Sequence, residues 1–198
     1  DAGAMFEEAR QLCQVTGDLP LLSISVENLA VLHHRHQRFS QALGHYHQST
    51  AASRRLGRRS QLTTTALNLA DLYLTVGDHN RARRLADIAA EYVRRDRLKF
   101  LESQLLILQG DLARAEGDAV RAGHRYQSAL NLMETGEGSN QRLGALLWLQ
   151  AELALEREEP DLADELVQRA LALPTAQIES LGIRLRMTRG GILLARGR

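Results

Sequence analysis

The chain has few of the residues that cross-link, break or anchor most folds. Its 198 residues include one cysteine, three prolines and 4% aromatic residues. A lone Cys13 excludes an internal disulfide framework and is typical of a reducing compartment. No apolar run approaches the roughly 18 residues of a membrane span, and the N-terminus lacks a signal-peptide pattern. We therefore expect a cytoplasmic protein without a membrane segment, whose helical core is built from Leu, Ala, Val and Ile.

The net charge of +1 excludes a strong overall attraction to nucleic acid or membrane. The charge is unevenly spread, because residues 54–97 hold ten Arg against five acids and residues 134–179 hold ten acids against three Arg. Lys99 is the only lysine, and this preference for Arg is typical of a GC-rich bacterial genome.

A repeat of 40 or 41 residues is the main signal. Its first landmark is a small residue, at Ala30, Ala70, Gly110 and Ala151. An alanine follows twelve residues later, at Ala42, Ala82, Ala122 and Ala163. Another small residue comes seven positions further on, at Ser49, Ala89, Ala129 and Ala170. Small side chains at fixed points allow paired helices to approach closely, and stacking of neighbouring pairs then supplies the core.

A turn position lies seven residues after the first landmark, at Gln37, Gly77, Gly117 and Glu158. Glycine there relieves the steric cost of a positive φ at a helix end. Asp78 and Asp118 follow directly and can cap the next helix.

The repeat predicts a pair of helices in each unit. First helices are expected near 21–36, 61–76, 101–116 and 141–157, and second helices near 40–54, 79–95, 119–133 and 160–172. Segments 2–15 and 177–196 match a second and a first helix without partners. We expect one repeat domain over 1–198, cut from a larger protein, with a partial repeat 1–18, repeats 19–58, 59–98, 99–138 and 139–176, and a capping helix 177–198.

The small–x₁₁–Ala–x₃–large–x₂–small pattern resembles the tetratricopeptide repeat (TPR) signature. Residues 68–78, Asn-Leu-Ala-Asp-Leu-Tyr-Leu-Thr-Val-Gly-Asp, match it best. The 40-residue period is similar to the long-helix subclass found in Pins/LGN scaffolds, kinesin light chains, MalT-like regulators and Rap proteins. The resemblance implies an all-α fold, a right-handed α-solenoid of antiparallel helix pairs that forms a TPR-like superhelix.

In TPR arrays the first helices line a concave groove, and the resemblance places partner contacts there. The carboxylates at equivalent positions would form an acidic ladder that favours a basic peptide, the amides would bind its backbone, and apolar residues would add contacts. The candidate residues are Asn28, Leu67, Asn68, Asp71, Ile107, Asp111, Arg114, Trp148 and Glu152. In the alternative interpretation these carboxylates are solvated or pair with Arg114 or Arg157, and Trp148 belongs to the core.

Two other clusters have ordinary explanations. Five histidines, at 33, 34, 36, 45 and 47, could bind a metal or sense pH, but their loose spacing favours surface and inter-helix packing. The Arg pairs near 54–59, 81–84 and 94–95 could attract nucleic acid, yet the scarcity of aromatic residues favours a solvated or docking face.

No G-x-S-x-G, Walker A, GxGxxG or H-E-x-x-H motif is present, so we predict a non-enzyme without cofactor or metal. We expect a signalling scaffold that binds a protein or peptide, or other domains of its own chain. The alternative, also from the resemblance, is a ligand-sensing or autoinhibitory module of a bacterial MalT-like or STAND-type transcriptional regulator or kinase.

Overall fold

The computed structural model describes residues 2–137, 140–174 and 179–197, and in these ranges the chain contains helices and no strand. The helices, in chain order, are α1 Ala2–Thr16, α2 Leu19–Arg35, α3 Phe39–Arg55, α4 Arg59–Thr75, α5 His79–Arg95, α6 Lys99–Ala115, α7 Ala119–Leu132, a π-helical segment Met133–Glu137, α8 Asn140–Glu156, α9 Pro160–Leu171 and α10 Glu179–Ala195. The predicted all-α class is confirmed. Over the described ranges, no helix combines the length and apolarity needed to cross a bilayer.

The chain forms two compact units, residues 1–101 and residues 102–198. In the N-terminal unit α2 packs against α1 and α3, and α4 packs against α3 and α5. In the C-terminal unit α8 packs against α7 and α9, and α10 packs against both α8 and α9. Each unit therefore consists of helices stacked in chain order, as a repeat fold requires.

The small landmark residues are buried where helices meet. Ten alanines and one serine of the three landmark sets are fully buried: Ala30, Ala42, Ser49, Ala70, Ala82, Ala89, Ala122, Ala129, Ala151, Ala163 and Ala170. Gly110 shows why size matters, because a Cβ built on it would lie only 2.6 Å from Cδ1 of the Tyr126 ring. The small residues are thus the close-approach points that the repeat predicted.

The turns are more regular than the sequence indicated. All four predicted turn positions have a positive φ, including two that are not glycine, Gln37 at 58° and Glu158 at 59°. The connections between repeats use the same conformation, at Gly17, Gly57 and Arg97. A left-handed residue therefore ends a helix about every 20 residues, which leaves room for helices of 17 residues.

Three of the first helices begin two residues before the approximate predicted starts. The first helices were expected near 21, 61 and 101, but α2, α4 and α6 begin at Leu19, Arg59 and Lys99. The turn between repeats is shorter than expected because one left-handed residue reverses the chain. Segments 2–15 and 177–196 are helical as predicted where they are described, and residues 177–178 and 198 lie outside the described ranges.

Helix starts are capped as the aspartates suggested. The Asp78 and Asp118 side chains accept hydrogen bonds from the backbone N–H of Arg81, at 3.0 Å, and of Arg121, at 2.8 Å. Asp18 does the same for Leu21 at the start of α2. Each cap satisfies a backbone donor that the first turn leaves unpaired.

Candidate partner-binding surfaces

The predicted contact residues of the N-terminal unit have different surroundings. Asp71 is exposed and Asn28 is half-buried. Leu67 is 1% exposed and packs in the core, so the structure does not present it on the surface, and its ligand contact stays a prediction. Asn68 is half-buried, and its Nδ2 donates a hydrogen bond to Oε1 of Glu27 at 2.8 Å.

Glu27 is a buried carboxylate that the sequence analysis missed. It lies on α2 at 5% exposure, and its other oxygen accepts a hydrogen bond from Oγ1 of Thr65 at 2.7 Å. Thr65 in turn lies 3.2 Å from the hydroxyl of Ser49. Because burying a carboxylate is costly unless it is hydrogen-bonded, this network fixes the pairing of α2 with α4. The sequence carries one signal for the burial of Glu27, because Glu27 takes the repeat position that the apolar Leu67 takes in the next repeat.

In the C-terminal unit the carboxylates on the first helices are hydrogen-bonded within the chain. Asp111 accepts a hydrogen bond of 2.5 Å from the hydroxyl of Tyr126, which is fully buried. Burial raises the pKa of Tyr126 well above its ordinary value, and the Asp111 charge raises it further. Arg114 of α6 forms an ion pair with Glu156 of α8, and this hydrogen bond raises the Arg114 pKa.

Trp148 is held in place by α10. Its Nε1 donates to Oγ1 of Thr188 at 3.0 Å, and that hydroxyl lies 2.6 Å from Oε1 of Glu152. The guanidinium carbon of Arg184 lies 4.8 Å from the centre of the indole ring. Trp148 is half-buried and packs against the core of the C-terminal unit, as Ile107 does. The aromatic side chain thus has an apolar side in the core and a face that attracts a cation.

Open grooves lie on the side where second helices neighbour each other. One lies between α1 and α3 over α2, with a volume of about 280 Å³. One lies between α7 and α9 over α8, also about 280 Å³. The groove between α3 and α5 over α4, which we call the basic groove, measures about 530 Å³ and contains three arginines. The basic groove is not among the sites that the sequence predicts, although the Arg-rich segments near 54–59 and 81–84 lie beside it.

The histidine cluster forms a stacked pair. The rings of His33 and His45 lie 5.3 Å apart and nearly parallel, and neither buried Nδ1 atom has a hydrogen-bond partner in the described structure. Burial lowers the pKa of His33, and the neighbouring His45 lowers it further. Across the ranges that the structure describes, no three His, Cys, Asp or Glu side chains are grouped closely enough to hold a metal ion.

Comparison with known proteins identifies the fold through structures. No protein-family model and no curated protein sequence matches the chain. The crystal structure of BtubC (BKLC) from P. vanneervenii is similar over 99% of this chain and 82% of that chain, with a TM-score of 0.69 and 21% identity. A tetratricopeptide repeat protein from Parabacteroides merdae matches over 94% of this chain and 84% of its own, with a TM-score of 0.48 and 16% identity. The chain therefore shares with BtubC an all-α fold of helices stacked in chain order.

Proposed function

We propose that the protein is a non-enzymatic interaction scaffold, and that the first helices of its C-terminal unit bind a basic segment of a partner protein. The observation that carries this proposal is the arrangement around Trp148. A half-buried indole is held by Thr188, beside the carboxylate of Glu152 and under the Arg184 guanidinium.

Within the chain, Arg184 makes the contact with Trp148 that a cation of the partner would make. A guanidinium stacked on an indole, with a carboxylate close by, is a favourable site for a cation. An Arg or Lys side chain of a partner that replaces Arg184 on the ring would make the same contacts. Because Thr188 holds the indole in place beforehand, little ordering entropy is lost on binding.

Asp111 adds a second carboxylate on α6. The hydroxyl of Tyr126 donates a hydrogen bond to this carboxylate and fixes its position. Tryptophan is over-represented among residues that dominate binding energy, so Trp148 is the proposed anchor and the acids provide selectivity for basic partners.

The uneven charge of the chain favours one alternative role. In a regulatory module, the basic segment 54–97 or the acidic segment 134–179 would dock an attached domain of opposite charge. A nucleotide-binding, kinase or DNA-binding domain in the adjoining sequence would favour this regulatory role over a free scaffold.

The fluorescence of Trp148 tests the proposal directly, since it is the only tryptophan of the chain. The protein is titrated with peptides of the same length that contain either Arg and Lys or neutral Gln residues. We expect saturable changes in emission with the basic peptides only, and a loss of affinity of about tenfold when Asp111→Asn and Glu152→Gln are combined.

The matched control removes the same charge elsewhere. Asp87→Asn with Glu91→Gln alters two exposed acids of α5 and should leave peptide affinity within about twofold. An equal loss in both double variants would show general charge attraction, and an unchanged emission with every basic peptide would contradict the proposed site.

A further inference from the structure

The basic groove is built from residues at helical spacing on three helices. Leu62, Ala66, Leu69 and Tyr73 of α4 lie along it, between residues of α3 on one side and of α5 on the other. From Leu62 to Tyr73 the helix rises about 16 Å, which is three helical turns. The groove is therefore an elongated trough, open along its length.

Its charge is of one sign. Arg54 lies on the α3 side and Arg81 and Arg84 lie on the α5 side, and no acidic residue is found among the described residues that line it. Arg81 pairs with Asp78 and stacks over the Tyr73 ring at 5.3 Å. Within the described part of the chain, Arg54 and Arg84 form no ion pair. The trough thus presents two exposed guanidinium groups, one on each side, that are available to an anion.

Its walls are otherwise largely apolar. Ile88 is 47% exposed, and Leu85 and Tyr92 line the same wall of α5 at half burial. Large exposed apolar side chains beside unpaired cations suit a ligand with both an apolar face and acidic groups.

One residue of the trough is smaller than its counterparts in the other repeats. Ala66 takes the repeat position that Val26, Leu106 and Leu147 take in the other first helices. Val26 and Leu147 are buried at 1% and 2% exposure and Leu106 is half-buried, so the other repeats carry a larger side chain at this position. The groove over α4, where this position is alanine, has a volume of about 530 Å³, against about 280 Å³ over α8.

We propose that the basic groove binds an acidic amphipathic α-helix of a partner protein. The backbone groups of α3, α4 and α5 that face the trough are already paired within their own helices, so they offer no hydrogen bonds to an extended peptide. A helix pairs its own backbone and needs only an apolar stripe for the floor and acids for the flanks. Arg54 and Arg84 bind acids on opposite flanks of that helix, and Leu69 and Ile88 contact its apolar face.

The experiment uses a defined helical probe. A fluorescent peptide of about 18 residues carries Leu at i, i+3, i+4 and i+7 spacing with Glu on both flanks, and a second peptide has Gln in place of Glu. Binding to the full chain is followed by fluorescence anisotropy. We expect saturable binding of the acidic peptide, at least about tenfold weaker binding of the Gln peptide, and weakening of the acidic complex as salt is raised.

Two variants remove the site by different means. Arg54→Glu with Arg84→Glu reverses the flanking charges, and Ala66→Leu fills the floor without a change of charge. Each should weaken binding by about tenfold or more. Leucine is found at the same position in two other repeats, so we expect Ala66→Leu to fold, which thermal unfolding by circular dichroism checks.

A charge-matched control separates the groove from general attraction. Arg94→Glu with Arg125→Glu alters two exposed arginines outside the groove, and should leave the affinity within about threefold. Equal weakening by this control, unchanged binding by Ala66→Leu, or equal binding of the Gln peptide would each overturn the proposal. Self-association that is abolished by the Arg54 and Arg84 substitutions would also overturn it, since the occupant would then be a second copy of the chain.

The two proposed surfaces can fail separately. The Asp111→Asn and Glu152→Gln variant should bind the acidic helix normally, and the Arg54→Glu and Arg84→Glu variant should retain the Trp148 response to basic peptides. If either double variant abolished binding of both the acidic helix and the basic peptides, the assignment of two distinct sites would be contradicted.

Discussion

The groove over α4 in the N-terminal unit and the groove over α8 in the C-terminal unit occupy the same place in the repeat, yet they differ about twofold in volume. The backbone pattern is the same in both, with a first helix as floor and second helices as walls. The side chains differ, since Ala66 on the floor of the first groove takes the repeat position of Leu147, which is buried in the core of the C-terminal unit. We infer that a single small residue can enlarge such a groove at one position of a repeat fold.

The walls of the two grooves differ as well. Arg81 and Arg84 of α5 correspond to Leu162 and Glu165 of α9, and Arg157, the one arginine among the described residues that line the groove over α8, lies 3.0 Å from Glu159. Of these two grooves, the one over α4 is both the larger and, among the described residues, the one lined by arginines without an ion pair. This combination distinguishes a binding surface from the ordinary gap between stacked helices.

The largest expected effect is the loss of stability when alanine replaces Leu147, the counterpart of Ala66 in the C-terminal unit. Leu147→Ala removes a side chain that is 2% exposed, so we expect the free energy of unfolding to fall by about 2–5 kcal/mol. Denaturant unfolding measures it. Leu194→Ala, at a position 78% exposed on α10, is the control and should change stability by less than about 0.5 kcal/mol. Equal losses would show that the buried leucine does not fill the groove floor.

The loss of stability at alkaline pH can be used to compare the buried tyrosines of the two units. Burial is the main cause that raises the pKa of both Tyr46 and Tyr126 above the ordinary value near 10. The unfolded chain loses these protons first as pH rises, so stability is complete below about pH 10 and falls above it, by about 1.4 kcal/mol per pH unit for each tyrosine.

Tyr46→Phe and Tyr126→Phe should each remove about half of that alkaline loss, as measured by denaturant unfolding between pH 9 and pH 11 (roughly one unit either side of the ordinary tyrosine pKa). At neutral pH only Tyr126→Phe should lower stability, by about 1–2 kcal/mol, since it breaks the bond to Asp111. An unchanged pH slope in both variants would rule out the tyrosines as its source.

The smallest effect concerns the matched turns Gln37 and Glu158, one in each unit. Both have φ near 60°, a conformation that is strained for any residue with a side chain. Gln37→Gly and Glu158→Gly should each raise the melting temperature slightly, through a gain of about 0.5–1 kcal/mol. Gly77→Ala, at the same repeat position with φ of 82°, should lower stability by about 1 kcal/mol. If Gly77→Ala raised stability as the two substitutions to glycine do, the positive φ would not be the cause of these changes.

Much of the fold could be predicted because its constraints are local and repeated. The spacing of Ala70, Ala82 and Gly110 indicates where helices must approach, and Gly77 indicates where the chain reverses. The sites were harder to predict. Leu67 and Trp148 share a repeat position, but Leu67 is buried while Trp148 is half-buried and bonded to Thr188. Residues 40 positions apart in sequence form that contact, so the repeat pattern alone did not reveal it.

The sequence by itself determined the helical class, the 40-residue register and the turn positions, since periodic small residues and left-handed turns leave few alternatives for a helical chain. Only the tertiary structure decided which side chains share a surface. Glu27 became a buried link between α2 and α4, and Ala66 became the floor of a groove flanked by Arg54 and Arg84. Burial and charge pairing depend on neighbours from other helices, and these neighbours are set only when the helices pack.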